Sequence, residues 1–123
     1  MSYEEGLRLF REGHWFEAHE VLEHVWRATP PGPDRLFYQG LIQLAVSLEH
    51  WKRGNPRGAL GQWQKGAAKM EGLPPEYQGV NLQKLLADFQ CFYEGQRLEE
   101  AVLAQAEGRP FGRGDGSAPV PGA

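Results

Sequence analysis

The sequence predicts an all-α protein, a multihelical bundle of about three helix-turn-helix hairpins around a buried central helix at residues 34–53. Apolar residues recur at intervals of three and four along most of the chain, and no segment shows the convincing alternation of a strand. Glycines at 13, 54 and 95, spaced 41 residues apart, each follow an aromatic residue by three positions, which predicts three hairpin turns. The segment LFYQGLIQLAVSLEHW carries one formal charge, Glu49, as is typical of a buried helix.

Glycine, proline and capping residues mark the ends of the predicted helices, because these residues interrupt or terminate helical periodicity. Helix 1 ends at Gly13, helix 2 ends at the TPPGP segment, and helix 3 begins at the capping residue Asp34. Asn55 caps helix 4, which starts with Pro56 and fades near EGLPP, while Gly95 separates helix 5 from helix 6. Helices 1, 2, 3, 5 and 6 are expected at about residues 3–12, 14–28, 34–53, 80–94 and 97–107.

The length and composition predict one domain and a tail. A chain of 123 residues is long enough to bury a core of its own, and residues 1–107 are expected to form a single all-helical domain. Residues 108–123, GRPFGRGDGSAPVPGA, are expected to form a flexible tail because glycine and proline are abundant there and apolar residues are few.

Charge and cysteine content indicate which binding partners and which cellular compartment to expect. The 13 Lys and Arg residues against 16 Asp and Glu give a formal charge of −3, which provides no electrostatic reason to expect nucleic acid. The N-terminus lacks the basic residues of a signal peptide and no apolar run approaches spanning length, so we expect no membrane association and a cytoplasmic protein. Cys91, the single cysteine, fits a reducing compartment and is expected in the core beside Phe89 and Phe92.

Helix 2 contains the polar segment HWFEAHEVLEHVW and is predicted to be amphipathic. At about 100° per residue, its side chains divide between an apolar arc and a charged arc. His19 and Glu23 fall between the two arcs, next to Trp26, and are expected at the edge of the core. The apolar arc comprises Trp15, Ala18, Val21, Leu22, Val25 and Trp26, and the charged arc comprises Glu17, Glu20, His24 and Arg27.

Polar residues also follow one side of helix 3, opposite its large apolar residues. Each buried polar group needs a hydrogen-bond partner, because an unpaired one costs about 1–3 kcal/mol. The nearest acceptors along the chain are on helix 2, so we predict a polar network between the two helices, with an ion pair between Glu23 and Arg35. Glu23→Ala is then expected to destabilise the fold, and Glu20→Ala to be nearly neutral. The expected network or binding residues are His19, Glu23, Trp26, Arg35, Gln39, Gln43 and His50.

The hairpins resemble tetratricopeptide units in their turn glycines and small residues. Gly13, Ala18 and Pro30 stand at the turn, small-residue and terminal-proline positions of the first hairpin, and Gly54 and Ala59 repeat the first two. The spacing of 41 residues is longer than the usual period of about 34. The resemblance therefore implies helical-hairpin geometry and no peptide-binding function.

Three segments resemble an uncharacterised bacterial family, the domain of unknown function 309. The segments are HWFEAHEVLEHVWR, RLFYQGLIQLAVSLEHW and GNPRGAL, and the resemblance covers about residues 7–70. It implies an all-helical fold and no established activity. His24 departs from the pattern, which more often has an acidic residue there, so the resemblance implies no role for it. The residues that match are Glu17, His19, Glu20, Glu23, Trp26, Arg35, Gln39, Gly40 and Gln43.

These features favour a structural or interaction module. In that interpretation the polar network fixes helix 2 against helix 3, and the module contacts a protein partner or a second copy of the chain. Exposed aromatic anchors would come from Trp15, Trp63 or Tyr77.

The alternative is an enzyme or a metal-binding protein. His19, Glu23 and His50 could converge on a metal, whereas His19, Glu23 and Arg35 are the candidates for metal-free acid–base catalysis, with Arg35 binding an anionic substrate group. The sequence has no Glu-x-x-His pair of the kind that dinuclear carboxylate bundles use. No cofactor is therefore predicted and no metal site is assigned.

Overall fold

A computed structural model describes the backbone of residues 2–106 and the side chains of residues 2–96. Its helices confirm the all-α prediction. A short antiparallel hairpin joins the last two helices, pairing Glu76 with Asn81 and Tyr77 with Val80. The elements are α1 (Tyr3–Arg11), α2 (Trp15–Arg27), α3 (Pro33–Lys52), α4 (Pro56–Met70), β1 (Glu76–Tyr77), β2 (Val80–Asn81) and α5 (Leu82–Ala106).

Helix α3 is the centre of the bundle, as its low charge predicts. It packs along α2 on one side and along α4 on the other, while α1 covers α2 and α5 lies against α4 and the hairpin. From Phe37 to Trp51 every residue of α3 is buried or half-buried, so its large apolar residues fill the core. The buried side chains of α3 are Phe37, Tyr38, Leu41, Ile42, Leu44, Ala45, Ser47, Leu48 and Trp51.

The first two glycines of the repeat form hairpin turns, as predicted. Gly13 and Gly54 have φ of 85° and 79°, in the left-handed region that disfavours other residues. The turns share a hydrogen-bond pattern, in which the N–H after the glycine donates five residues back: His14 to the Leu9 carbonyl and Asn55 to the His50 carbonyl.

The third predicted turn is wrong, because α5 continues through Gly95 instead of dividing into two helices. A single glycine inside a helix costs only about 1 kcal/mol, and no proline or capping residue follows Gly95 to end the helix. Cys91 is also exposed and not in the core, because it lies on the side of α5 opposite Phe89 and Tyr93. The tail expected at residues 108–123 lies outside the described residues.

Close contact between α3 and α4 depends on two glycines. A Cβ on Gly66 would lie 3.1 Å from the Gly40 carbonyl oxygen and 3.0 Å from Leu44 Cδ2. A Cβ on Gly40 would lie 2.7 Å from Met70, whose side chain is itself buried. The helices therefore approach closely because both positions lack a side chain.

A buried hydroxyl connects three helices. Ser47 Oγ on α3 donates to the Ala59 carbonyl of α4 at 2.6 Å and lies 2.7 Å from Tyr93 Oη of α5. Because the Ser47 proton is committed to the carbonyl, Tyr93 donates to Ser47. Burial raises the pKa of the Tyr93 hydroxyl to about 12.

The glycine contact predicts that Gly66→Ala lowers the free energy of unfolding by about 1 kcal/mol or more, because backbone atoms of α3 must move aside. Gly61→Ala in the same helix is the matched control, since nothing lies within 4 Å of its added Cβ. That substitution is expected to raise the free energy of unfolding by about 0.5–1 kcal/mol through helix propensity. Urea denaturation measures both, and equal effects would contradict the close approach.

The pKa of Tyr93 predicts a loss of stability in alkali. The folded protein holds the Tyr93 proton between its ordinary pKa of 10.0 and about 12, whereas the unfolded chain releases it, so the free energy of unfolding falls as pH rises through this range. Tyr93→Phe has no proton to lose and is expected to reduce this fall. Urea denaturation at intervals from pH 8 to about 11.5 tests it, and parallel pH dependences for the two proteins would show the prediction wrong.

Candidate functional site

The two arcs predicted for helix 2 are confirmed in α2. Ala18, Val21 and Leu22 are buried, and Glu17, Glu20, His24 and Arg27 are exposed. His19 and Glu23 are half-buried at the border, as expected. The partners of these two residues, however, differ from those predicted.

Arg35 closes the end of α2 and does not pair with Glu23. Its Nη1 donates to the carbonyls of Trp26 at 3.0 Å and Thr29 at 2.6 Å, and its guanidinium lies 4.2 Å from the centroid of the Trp26 ring. The last carbonyls of a helix lack intrahelical donors, so a cation there satisfies them and opposes the helix dipole. Glu23 forms its ion pair with Arg27, one turn along α2, at 3.5 Å.

The half-buried carboxylate between α2 and α3 is Glu49. One of its oxygens lies 3.8 Å from His19 Nδ1, which is too long for a hydrogen bond. Its other oxygen accepts a hydrogen bond from Arg53 Nη2 at 3.0 Å. Only 13% of the Glu49 side chain is exposed, so its charge is partly withdrawn from water and is compensated by the Arg53 guanidinium.

The remaining polar residues of α3 lie towards α4. His50 Nδ1 is 3.2 Å from Asn55 Nδ2 and accepts from it, because Asn55 Oδ1 already accepts from the Gly58 N–H as the cap of α4. Gln43 has Cβ against Gly66 of α4, and its buried Oε1 has no hydrogen-bond partner among the described residues. Gln39 is half-buried.

The predicted metal and catalytic residues are therefore separated. His19 faces Glu49 across α2 and α3, Glu23 pairs along α2, and His50 holds the start of α4. Within residues 2–96, no three His, Cys, Asp or Glu side chains are grouped so that they could hold a metal ion. The catalytic role expected for His19, Glu23 and Arg35 stays a prediction.

A cavity of about 390 Å³ lies where the α1–α2 turn meets the end of α3. We call it the Phe16 cavity. Phe16 stands at its rim with 47% of its surface exposed, and its ring meets the His19 ring edge-on at 6.4 Å between centroids. The lining residues are Gly13, His14, Trp15, Phe16, Glu17, Glu49, Lys52 and Arg53.

The charges around the Phe16 cavity are unequally compensated. Arg53 is paired with Glu49, whereas the contact of Lys52 is with the Trp15 ring, 5.9 Å from its Nζ to the ring centroid. Across the described residues, neither Lys52 nor Glu17 forms an ion pair. His14 is the N-cap of α2 but provides no side-chain hydrogen bond, so the N–H groups of the first turn lack a capping acceptor.

Comparison with known sequences finds a family match. Residues 3–62 match the family described as a domain of unknown function (DUF309). The match covers just under half of the 123-residue chain. The Phe16 cavity, the His19–Glu49 contact and Arg35 all fall within this DUF309 segment.

Two relatives of the chain belong to bacteria. An uncharacterized protein of Aquifex aeolicus (strain VF5) is 30% identical over 98 residues, which are 80% of this chain and 27% of the relative. Uncharacterized protein YpuF of Bacillus subtilis (strain 168) is 47% identical over 45 residues, which are 37% of this chain and 26% of the relative. The chain thus spans about a quarter of the length of either relative.

Three residues of the DUF309 segment are important in the structure and absent from the predicted network: Phe16, Glu49 and Lys52. The isolated charge of Glu49 in an apolar run is the signal that it needs a partner. Phe16 lies about 100° from Trp15 on the helical wheel, outside the apolar arc, and this position predicts exposure. The aromatic anchors expected at Trp15, Trp63 and Tyr77 are instead half-buried.

These contacts change the expected effects of substitution. Glu49→Ala should lower the free energy of unfolding by about 1 kcal/mol, because it removes the ion pair with Arg53, which is 66% exposed, and the contact with half-buried His19. Glu23→Ala should cost only about 0.3–0.5 kcal/mol, since 37% of Glu23 is exposed and its partner is on the same helix. Thermal denaturation of the two variants beside Glu20→Ala measures the order, and a larger loss for Glu23→Ala would restore the sequence-based prediction.

Proposed function

We propose that this chain provides a cytoplasmic protein-interaction module, in which the Phe16 cavity receives a segment of a partner polypeptide. The observation that carries the proposal is the exposure of Phe16. A large aromatic side chain, 47% exposed, stands beside a cavity of about 390 Å³ in a helical framework. Exposed aromatic residues beside concave surfaces are typical of the residues that dominate binding energy at protein interfaces.

The architecture supports this proposal. The turn at Gly13 and the end of α3 line the cavity. The turn is held by the hydrogen bond from His14 to the Leu9 carbonyl, and the end of α3 by the ion pair between Arg53 and Glu49. A preformed site of this kind loses little conformational entropy on binding. The partner segment would need to order only itself.

The relatives are consistent with a module. In each, the matching part is about a quarter of a longer protein, so sequences similar to this one are joined to other polypeptide segments. A second copy of this chain is the other protein that could occupy the cavity, and the experiment below separates the two cases.

Structural support is weaker for the alternative, an enzyme or metal-binding protein with a site at His19, Glu23 and His50. Each of these residues has a different neighbour, and no described contact joins any two of them.

No helix among the described residues combines the length and the apolar character needed to span a membrane.

Photo-crosslinking from position 16 tests the interaction. The full chain carries a photoreactive phenylalanine analogue at Phe16, expressed in the source cells, and the matched control carries it at Leu36, which is 43% exposed elsewhere on the surface. We expect one polypeptide to be crosslinked repeatedly from position 16 and not from position 36.

The binding of that polypeptide is then measured with purified proteins. Phe16→Ala should weaken it at least tenfold, as loss of a central aromatic contact does, while Leu36→Ala and the thermal stability of both variants stay near those of the parent. A crosslink between two copies of the chain, together with a dimeric mass, would assign the cavity to self-association. Equal crosslinking from both positions would reject the proposal.

A further inference from the structure

The Phe16 cavity combines an exposed aromatic side chain with an unpaired cation. Lys52 is in the last turn of α3, where a basic residue is favourable simply because it opposes the helix dipole. In addition, Lys52 Nζ lies over the face of the Trp15 ring, 5.9 Å from the ring centroid. Lys52 therefore contributes a positive charge to the same cavity that Phe16 lines.

Of the four formally charged residues that line the cavity, Lys52 and Glu17 form no ion pair with another described residue, whereas Glu49 and Arg53 pair with each other. Glu49 is compensated by Arg53 at 3.0 Å, so its carboxylate is already paired. His14 lies 3.9 Å from Glu12 on the preceding turn. The first turn of α2 also lines the cavity and adds backbone N–H groups without a capping side chain, which favour a negative group.

Glu17 is the one lining residue that opposes an anion. It is exposed, in the first turn of α2, and has no ion-pair partner among the described residues. A negative group in the cavity should therefore sit towards Lys52 and away from Glu17. This opposition gives the two residues effects of opposite sign on the same ligand.

We propose that the occupant of the Phe16 cavity is an acidic segment of the partner polypeptide, with a Glu or Asp carboxylate at Lys52 and a neighbouring apolar side chain against Phe16. This inference rests on the proposed function and specifies the partner's chemistry. Charge complementarity selects the carboxylate, and the exposed aromatic surface selects the apolar neighbour. An exposed pair of this kind contributes mainly selectivity, so the discrimination between charged and neutral partners should be modest.

Short peptides test the inference without knowledge of the natural partner. The probes are acetyl-Leu-Glu-Leu-amide and its central Gln and Lys counterparts, titrated into the ¹⁵N-labelled full chain in low salt. The backbone amides of Trp15, Phe16 and Glu17 report binding by NMR. We expect saturable shifts with the Glu peptide, binding about fivefold weaker with the Gln peptide, and the weakest binding with the Lys peptide, with the differences reduced in high salt.

Substitutions distinguish the electrostatic contact from the apolar one. Lys52→Gln should remove the preference for the Glu peptide over the Gln peptide, and Glu17→Gln should increase it, while Phe16→Ala should weaken both peptides equally. Lys69→Gln is the control, because Lys69 lines a different groove beside Leu36. Thermal denaturation confirms that each variant is folded.

Three results would overturn the inference. These are equal affinity for the Glu and Gln peptides, the same sign of effect for Lys52→Gln and Glu17→Gln, and the absence of saturable shifts with any peptide. Stronger binding of a free-acid acetyl-Leu-Gln-Leu than of the Glu peptide would also overturn it in favour of a chain-terminal carboxylate. Each outcome leaves the proposed function standing if crosslinking from Phe16 still captures one partner, so the two failures are distinguishable.

Discussion

The structure depends on covering α3 along its whole length. Seven of its large side chains are buried, including Phe37, Leu41 and Leu48, so exposure of any of its sides would place apolar surface in water. Helices α2 and α4 both pack against α3. The turns at Gly13 and Gly54, both with positive φ, reverse the chain direction between consecutive helices. The Phe16 cavity lies where this cover ends, at the last turn of α3.

Polar side chains in this fold mainly complete the ends of helices. Arg35 accounts for the last carbonyls of α2, and Asn55, held by His50, caps α4. Asp34, at the start of α3, accepts hydrogen bonds from Tyr77 and Gln78 of the hairpin. The polar residues of α3 therefore bind different partners, because the two helices beside α3 each have terminal backbone groups that need hydrogen bonds.

Hydrophobic periodicity and the spacing of glycines predicted the helices, their buried sides and two of the turns. The all-α class, the central position of α3, the arcs of α2 and the turns at Gly13 and Gly54 all follow from spacing and from glycine. The partners of His19 and Arg35 could not be predicted in this way, because they depend on which residues meet across helices. A single missing turn at Gly95 shows the same limit, since a glycine permits a turn without requiring one.

The hydroxyl of Ser47 has a consequence for where this unit ends. Ser47 and Ala59 lie within the DUF309 segment, whereas Tyr93, which donates to Ser47, lies beyond it, as do the buried side chains of Met70, Leu85 and Phe89. The border of the family match at residue 62 therefore runs through a continuous interior. A polypeptide that shares only the first three helices would have to supply its own covering for Gly40 and Leu44, so the recognisable family segment and the self-sufficient folding unit have different lengths.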